Sequence, residues 1–175
     1  MTDAVNDLKR KGKDMEVEFD VKIGFWQLYD FLLSKTYLSM QGIIGTLAGA
    51  FFIVEYFFQP NIIFLIAGIV ILLYIPVDLF LKAKAMTLQT VYKKPLHYTL
   101  TDEGILISQE GAEEQPVAPW ESIWKAGSTL GSLLLYTGKK SACILPKKQL
   151  EEQNVRDMVM QIVSTHISPK KVNIK

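Results

Sequence analysis

Two long apolar runs decide the fold of this chain, and they fill the stretch from Tyr37 to Leu81, YLSMQGIIGTLAGAFFIVEYFFQPNIIFLIAGIVILLYIPVDLFL. The first run, residues 37–58, holds ten residues of the Leu, Ile, Val or Phe type, and the second, residues 61–80, holds fourteen. Each run is close to the roughly 20 residues that cross a bilayer as a helix. Each apolar side chain favours insertion by about 0.3 to 0.6 kcal/mol. We therefore predict a transmembrane helical hairpin over residues 37–80, with its turn at Gln59, Pro60 and Asn61.

Small residues follow one face of the first helix. Gly42, Gly45 and Gly49 recur at intervals of three and four residues, which places them on the same side of a helix. Such a face lets two helix backbones approach closely. We expect it to pack against the second helix near Ala67 and Gly68, and dimerisation of two chains through the same face stays open.

Charged residues are rare in the hairpin. Glu55 lies a few residues from the turn, so we expect headgroup exposure, with a proton or ion site as the alternative. Asp78 lies one turn before Lys82, and a surface ion pair accounts for it. Six Lys or Arg residues precede the hairpin, four lie between residues 82 and 94, and none lies in the turn. This bias predicts that both termini are cytoplasmic.

The segment before the hairpin, residues 1–36, is predicted to be a cytoplasmic arm. Residues 15–23 alternate apolar and charged side chains, as a half-buried strand does, and residues 24–35 fit an interfacial helix with Trp26 at headgroup level. A lone strand is not stable in water. We therefore expect this strand to pair with the strand-rich region that follows the hairpin.

The chain after the hairpin is predicted to hold one small domain. Residues 81–95 form a linker or short helix, residues 96–167 the domain, and residues 168–175 a loose basic tail. Alternating patterns and turns predict a small, mostly antiparallel sheet in which residues 116–118 start a strand that runs on towards residue 125. Helical spacing from Glu151 onward predicts a closing helix, for which Asn154 is a candidate N-cap. The fold class is therefore α+β, a membrane hairpin plus a sheet closed by a C-terminal helix.

Composition and motifs argue against several chemistries. The formal charge of +1 carries no nucleic-acid signature. One cysteine and two histidines predict no metal site, and the sequence has no glycine-rich phosphate loop or nucleophile–base set. His97 is expected on the polar face of a strand, His166 on the apolar stripe of the last helix, and Cys143 in the core. We predict no catalytic residue and no cofactor.

Aromatic and basic residues supply a candidate interaction surface. Trp120 is expected in the core, whereas Trp124 is expected to be partly exposed. The candidate surface consists of Trp124, Lys139, Lys140, Lys147 and Lys148. A strand of about five residues separates the two lysine pairs by roughly 17 Å, so they need not adjoin. A solvated surface is the default for the lysines, and contact with anionic lipid is the functional alternative.

Four motifs resemble a known family: YTLTDEGI from Tyr98, WESIWK from Trp120, LLLY from Leu133 and ILPK from Ile144. They resemble the YcxB-like domain of bacterial membrane proteins. That resemblance implies two membrane helices before a small cytoplasmic domain with a pleckstrin-homology-like fold, in the bacterial cytoplasmic membrane. It implies no catalytic residues. The segment from Lys22 to Trp26 departs from the family pattern.

These observations lead to one expected function and two alternatives. We expect a non-enzymatic integral membrane protein whose cytoplasmic domain binds a protein partner or the anionic membrane surface. A membrane-resident immunity or accessory factor for a toxin or a membrane complex is the first alternative. A small transporter subunit or channel is the second, and it is disfavoured because the membrane midsection offers few polar groups.

Overall fold

The computed structural model describes residues 16–109, 115–138, 141–168 and 172–173, the last pair and residues 115–117 by their backbone alone. These residues form two compact units. One unit consists of the residues up to Ile23 together with those from Thr90 onward, and the other is Gly24–Gln89.

The unit Gly24–Gln89 consists of three helices: α1 (Phe25–Tyr37), α2 (Met40–Phe58) and α3 (Ile62–Thr87). The Ser39 hydroxyl accepts from the Gly42 N–H at the start of α2, and the Asn61 side chain caps α3 in the same way. Pro76 lies inside α3, which ends seven residues later than predicted. The extra residues, LKAKAMT, are mostly strong helix formers without Gly or Pro, so nothing ends the helix earlier.

An aromatic cluster fastens α1 to α3. The Phe25 ring lies 4.8 Å from that of Phe80 and 5.8 Å from that of Tyr29, measured between ring centroids. The Tyr29 hydroxyl donates to the Pro76 carbonyl oxygen at 3.3 Å. The indole of Trp26 is 69% exposed and lies edge-on to the Phe25 ring, with centroids 5.0 Å apart. The helix predicted before the hairpin is therefore present and packs on the second long helix.

The other unit, which we call the sheet unit, contains two four-stranded sheets. The first has the order β1 (Val17–Val21), β2 (Leu96–Leu100), β3 (Gly104–Ser108) and β4 (Gln115–Pro119), all antiparallel. The second has the order β7 (Ala142–Pro146), β6 (Ser132–Tyr136), β5 (Lys125–Ser128) and β8 (Val172–Asn173), in which β8 runs parallel to β5.

This arrangement corrects the prediction of one small sheet. A 3-10 turn at Trp120–Ser122 interrupts the strand that was expected to continue from β4, and β5 begins after it. Part of the predicted loose tail forms β8, because its backbone finds a partner on the free edge of β5. The rest of that tail, apart from Ser168, lies outside the described residues, as do residues 1–15 of the arm.

The N-terminal strand pairs across the hairpin sequence, as predicted. β1 lies antiparallel to β2, with Val17 opposite Leu100 and Val21 opposite Leu96. Its residues alternate between buried and exposed, which explains the alternating sequence. Phe19 stacks on Tyr98 with ring centroids 5.7 Å apart, so the strand contributes to the core as well as to the sheet edge.

Two glutamines cover the outer edge of β1. The Gln153 side chain accepts from the Asp20 N–H at 3.0 Å and donates to the Asp20 carbonyl oxygen at 2.8 Å. Gln149 makes the same pair of bonds with Lys22, both at 2.8 Å. Residues four apart on a helix are separated by about 6 Å and alternate strand residues by about 6.6 Å, so the two spacings match. We call this pair of side chains the glutamine clasp.

Two short helices follow β7: α4 (Lys147–Glu152) and α5 (Arg156–His166). The prediction of one helix capped by Asn154 is wrong. Asn154 has a φ of 56° and lies in the turn between the two helices, a left-handed conformation that asparagine tolerates better than most residues. The apolar side of α5 buries Val159, Ile162 and Val163.

Candidate functional site

Trp124 lies just before β5 and presents its indole at the surface. It is 47% exposed, and its backbone N–H donates to the Tyr136 carbonyl oxygen at 3.1 Å. The two rings lie 5.9 Å apart, and the Lys125 ammonium lies 6.0 Å from the Tyr136 ring. Partial burial raises the pKa of the Tyr136 hydroxyl. This aromatic pair with one flanking ammonium, which we call the Trp124 surface, has the composition of a protein-binding patch.

The lysines predicted for the same surface are placed elsewhere or lie outside the described residues. Lys139 and Lys140 lie outside the described residues. The Lys147 ammonium donates to the Thr129 carbonyl oxygen at 2.8 Å. Lys148 lies 3.7 Å from a Glu152 carboxylate oxygen on the next turn. Both described lysines therefore have partners within the unit.

Strand register separates Lys147 from the Trp124 surface. Tyr136 pairs with Ala142 at one end of the β6–β7 hairpin, and Ser132 pairs with Pro146 at the other end. Four residues of strand cover about 13 Å. The structure thus places Lys147 at the other end of the hairpin from Trp124, with which it was grouped, and the separation of the two lysine pairs from each other stays a prediction.

The predicted glycine face contacts other helices of the same chain. A Cβ added at Gly49 would lie 2.7 Å from Leu72 Cγ, and one at Gly45 would lie 3.1 Å from Ile75 Cδ1, both on α3. Gly42 instead faces the backbone of Thr36 at the end of α1. At Gly42 and Gly49 the neighbouring atoms occupy the space of a side chain, whereas at Gly45 the contact is tight but made by the end of a flexible side chain.

A cavity of about 620 Å³ lies beside the last helix and was not predicted. The His166 ring stacks on Trp120 with centroids 4.9 Å apart, and its Nδ1 lies 3.0 Å from the Ile162 carbonyl oxygen. Its Nε2 lies 3.5 Å from Asp102 Oδ1. Within the described part of the chain, neither Asp102 oxygen has a hydrogen-bond partner. Glu103 and Glu121 also line the cavity, which gives it an acidic character.

The remaining histidine has a surface role. His97 Nδ1 lies 2.9 Å from Asp20 Oδ1, and its Nε2 lies 3.9 Å from Glu18 Oε2. All three residues are on the exposed face of the β1–β2 pair, where His97 was expected. Such exposed pairs contribute at most about 1 kcal/mol.

A second cavity, of about 380 Å³, opens between β2, β3 and β7. Cys143, expected in the core, is 7% exposed and lines this cavity. Burial raises the pKa of its thiol to about 11. A thiol with that pKa is protonated at neutral pH, which makes it a poor nucleophile.

No group of three or more His, Cys, Asp or Glu side chains suited to hold a metal ion is present among residues 16–109, 115–138 and 141–168. His97 lies near both Asp20 and Glu18 on the exposed strand face, and the absence of a metal site from this chain stays a prediction.

Comparison with known proteins adds one finding. Neither the curated proteins nor the solved structures gave a match. The model of the family described as YcxB-like protein matches residues 100–162, from the last residue of β2 into α5. This segment contains the Trp120, Leu133 and Ile144 motifs in full. The match over residues 100–162 supports the resemblance to the YcxB-like family that the motifs indicate.

Proposed function

We propose that this chain is a two-pass protein of the bacterial cytoplasmic membrane whose sheet unit binds a protein partner in the cytoplasm and catalyses no reaction. The observation that carries the membrane assignment is the outer surface of α2 and α3. Eighteen large apolar side chains on these helices are exposed. Only 11% of the most apolar window of each helix is buried. A bilayer would cover this surface, whereas water would solvate it at a cost of about 25 cal/mol per Å².

Cysteine accessibility in intact cells tests the topology. In a Cys143→Ala background, Gln59→Cys places a thiol at the turn and Glu103→Cys places one in the sheet unit. We expect a membrane-impermeant maleimide to label Gln59→Cys in intact cells, and to label Glu103→Cys only after the membrane is permeabilised. Labelling of Glu103→Cys in intact cells would reverse the orientation. Equal labelling of both would contradict a two-pass hairpin.

The Trp124 surface supports a protein partner over an anionic membrane. Its exposed part is an indole beside a tyrosine ring, and aromatic residues are enriched at protein interfaces. The two described lysines of the predicted lipid-binding set have partners within the unit, which reduces the positive charge available to headgroups. The arrangement of two four-stranded sheets followed by α5 is also the support for a pleckstrin-homology-like fold, which we propose on that basis.

The positions of the reactive side chains support a binding role without catalysis. Cys143 is buried with a raised pKa, and His97 forms ion pairs on an exposed strand face. His166 packs on Trp120 and is held by a backbone carbonyl. Each group is thus used by the fold, and within the part of the chain that the structure describes none is paired with a hydroxyl or thiol that it could activate.

Crosslinking at Trp124 tests the partner proposal. The full chain is crosslinked in native membranes, solubilised gently and analysed by quantitative mass spectrometry. We expect one dominant crosslinked protein that is lost in Trp124→Ala. Met158→Ala is the matched control, because Met158 is 48% exposed but lies on α5. A partner that survives Trp124→Ala would place the interface elsewhere. If lysine substitutions, but not Trp124→Ala, changed how readily detergent extracts the chain from the membrane, binding to the lipid surface would be favoured instead.

A further inference from the structure

The second cavity is bounded by elements of the sheet unit alone. Its apolar lining includes Leu96 from β2, Ile107 from β3 and Ile144 from β7, and its polar lining includes the side chains of Tyr98 and Cys143. The volume of about 380 Å³ lies within the range of about 300–1,000 Å³ that is typical of small-molecule pockets. A well-packed core leaves few spaces larger than a water molecule, so a space of this size is unusual.

The hydroxyl of a buried tyrosine supplies a polar anchor in this cavity. Tyr98 is 2% exposed, and no hydrogen bond links its hydroxyl to another described residue. Burial, with smaller contributions from Cys143 and Tyr92, raises the pKa of Tyr98 well above its usual value. Both of those neighbours line the cavity, so the hydroxyl end of Tyr98 lies towards it. The phenol is therefore protonated at neutral pH, and its hydroxyl can donate a hydrogen bond to a molecule in the cavity.

Charge further restricts the ligand. Among the described residues, eleven line the cavity, and none of them is Lys, Arg, Asp or Glu. A carboxylate or ammonium transferred into such surroundings would lose its hydration without gaining an opposite charge. The chemistry therefore favours an uncharged molecule that fills an apolar space and offers one acceptor to a phenol.

The rim of the cavity is held in place by one side chain. The Gln109 amide donates to the Val91 carbonyl oxygen at 3.0 Å and to the Lys94 carbonyl oxygen at 3.1 Å. These bonds fix the 3-10 turn Thr90–Tyr92 against the end of β3. Because Val91, Tyr92 and Gln109 all line the cavity, the pocket is formed before a ligand arrives.

We propose that this cavity binds a neutral, mostly apolar small molecule whose single carbonyl or hydroxyl oxygen accepts a hydrogen bond from Tyr98. The proposal does not depend on Trp124 or Tyr136, neither of which lines the cavity. The apolar lining supplies affinity, and the phenol supplies the preference for an acceptor.

Cys143 provides a local readout, since it is the only cysteine in the chain and lines the cavity. The full chain in nanodiscs is alkylated with N-ethylmaleimide, and the rate is followed by intact-mass spectrometry. The probes are 2-octanone, octane and octanoate at matched free aqueous concentrations. We expect 2-octanone to slow alkylation saturably. Octanoate should need at least about tenfold more free probe for the same protection, since its charge must be desolvated.

Matched variants distinguish the contribution of the Tyr98 hydroxyl from that of the space in the cavity. Tyr98→Phe removes only the hydroxyl and should raise the half-protecting concentration of 2-octanone by about three- to tenfold, with little change for octane. Tyr136→Phe removes a hydroxyl outside the cavity and should change neither value. Ala142→Leu fills part of the space and should abolish protection by both neutral probes. Circular dichroism melts check that each variant is folded.

Three results would overturn the proposal. The first is alkylation that no probe slows saturably. The second is equal protection by 2-octanone in the wild type and in folded Tyr98→Phe, because the hydroxyl would then have no role. The third is octanoate that protects as well as 2-octanone, because the pocket would then accept a charge.

Discussion

Burial of Cys143 lowers the reactivity of its thiol by an amount that can be measured. Burial raises its thiol pKa from 9.0 to about 11, so at pH 8 the native chain holds about a hundredfold less thiolate than the unfolded chain. We expect alkylation by iodoacetamide at pH 8 to be slower by at least about that factor in the native protein than in urea. Mass spectrometry of timed samples measures both rates. Equal rates would contradict the buried position in β7.

The raised pKa of Cys143 also makes the stability of the fold depend on pH. A protonated Cys143 contributes stability that is fully present below about pH 9, the ordinary value, and is lost as pH rises to about 11. We expect the Tm of the wild type to fall more steeply between pH 9 and 11 than that of Cys143→Ala, which lacks the group. Parallel curves for the two proteins would show that the thiol titrates alike in the native and unfolded states.

At the residue scale, the sequence predicts whether a side chain is buried better than it predicts which other side chain it contacts. The strand pattern correctly places His97 on an exposed face and Cys143 in the core, because burial follows from alternation. The contact between Asp102 and His166 joins a turn to a helix far along the chain, and no local pattern signals it. The position of Tyr98 at a cavity is equally invisible in the sequence, where Tyr98 has the pattern of an ordinary core residue.

At the element scale, the glutamine clasp decides how firmly the edge of β1 is held. Its four hydrogen bonds should each contribute about 0.5 to 1.5 kcal/mol. We expect Gln149→Ala with Gln153→Ala to destabilise the sheet unit by about 2 to 4 kcal/mol. The amides of Asp20 and Lys22 should exchange with solvent at least tenfold faster, as measured by hydrogen–deuterium exchange.

Lys148→Ala serves as the control for the clasp, because Lys148 lies on the same helix but pairs with Glu152 at the surface. It should leave the exchange of both β1 amides unchanged. If the double glutamine variant also left them unchanged, their protection would have to come from another source. An exposed edge also invites pairing with other chains, so the double variant should self-associate more in size-exclusion chromatography.

The contact between α2 and α3 gives a second prediction at this scale. Gly49→Val places side-chain atoms where Leu72 already packs, so the hairpin must separate or shift. We expect a loss of about 1 to 3 kcal/mol, seen as a lower Tm in nanodiscs. Ala50→Val is the control, since Ala50 is exposed on the same helix. A change in dimer content without a change in Tm would instead support dimerisation through this face.

The elements that sequence reasoning missed depend on tertiary pairing. Periodicity and length predicted α1, α2 and β1 well, because each carries a regular pattern of its own. The strand β8 has two residues and exists only because β5 offers a free edge. The break between α4 and α5 rests on the left-handed conformation of Asn154, where helical spacing alone suggested continuity.

At the scale of the whole molecule, the order of the strands in the sequence differs from their order in the sheets. β1 precedes α1, α2 and α3 in the sequence, yet it forms the edge of a sheet whose other strands follow these helices. The sequence predicted this return because an alternating strand with no neighbour needs a partner. It did not predict that eight strands divide into two sheets, since that division depends on which edges meet in space.

Removal of β1 tests whether the returning strand completes the sheet unit. The side chains of Val17, Phe19, Val21 and Ile23 are each at most 5% exposed. At about 1.5 to 3 kcal/mol per buried side chain, they supply about 6 to 12 kcal/mol, which is comparable to the total stability of a typical domain. We therefore expect deletion of residues 1–23 to abolish cooperative unfolding of the sheet unit, as followed by circular dichroism and by loss of amide protection in β2. Deletion of residues 1–15 is the control and should leave both signals in place. If the longer deletion unfolded as cooperatively, and at the same temperature, as the shorter one, β1 would be an accessory edge, and the sheet unit would draw its stability from the strands that follow the hairpin.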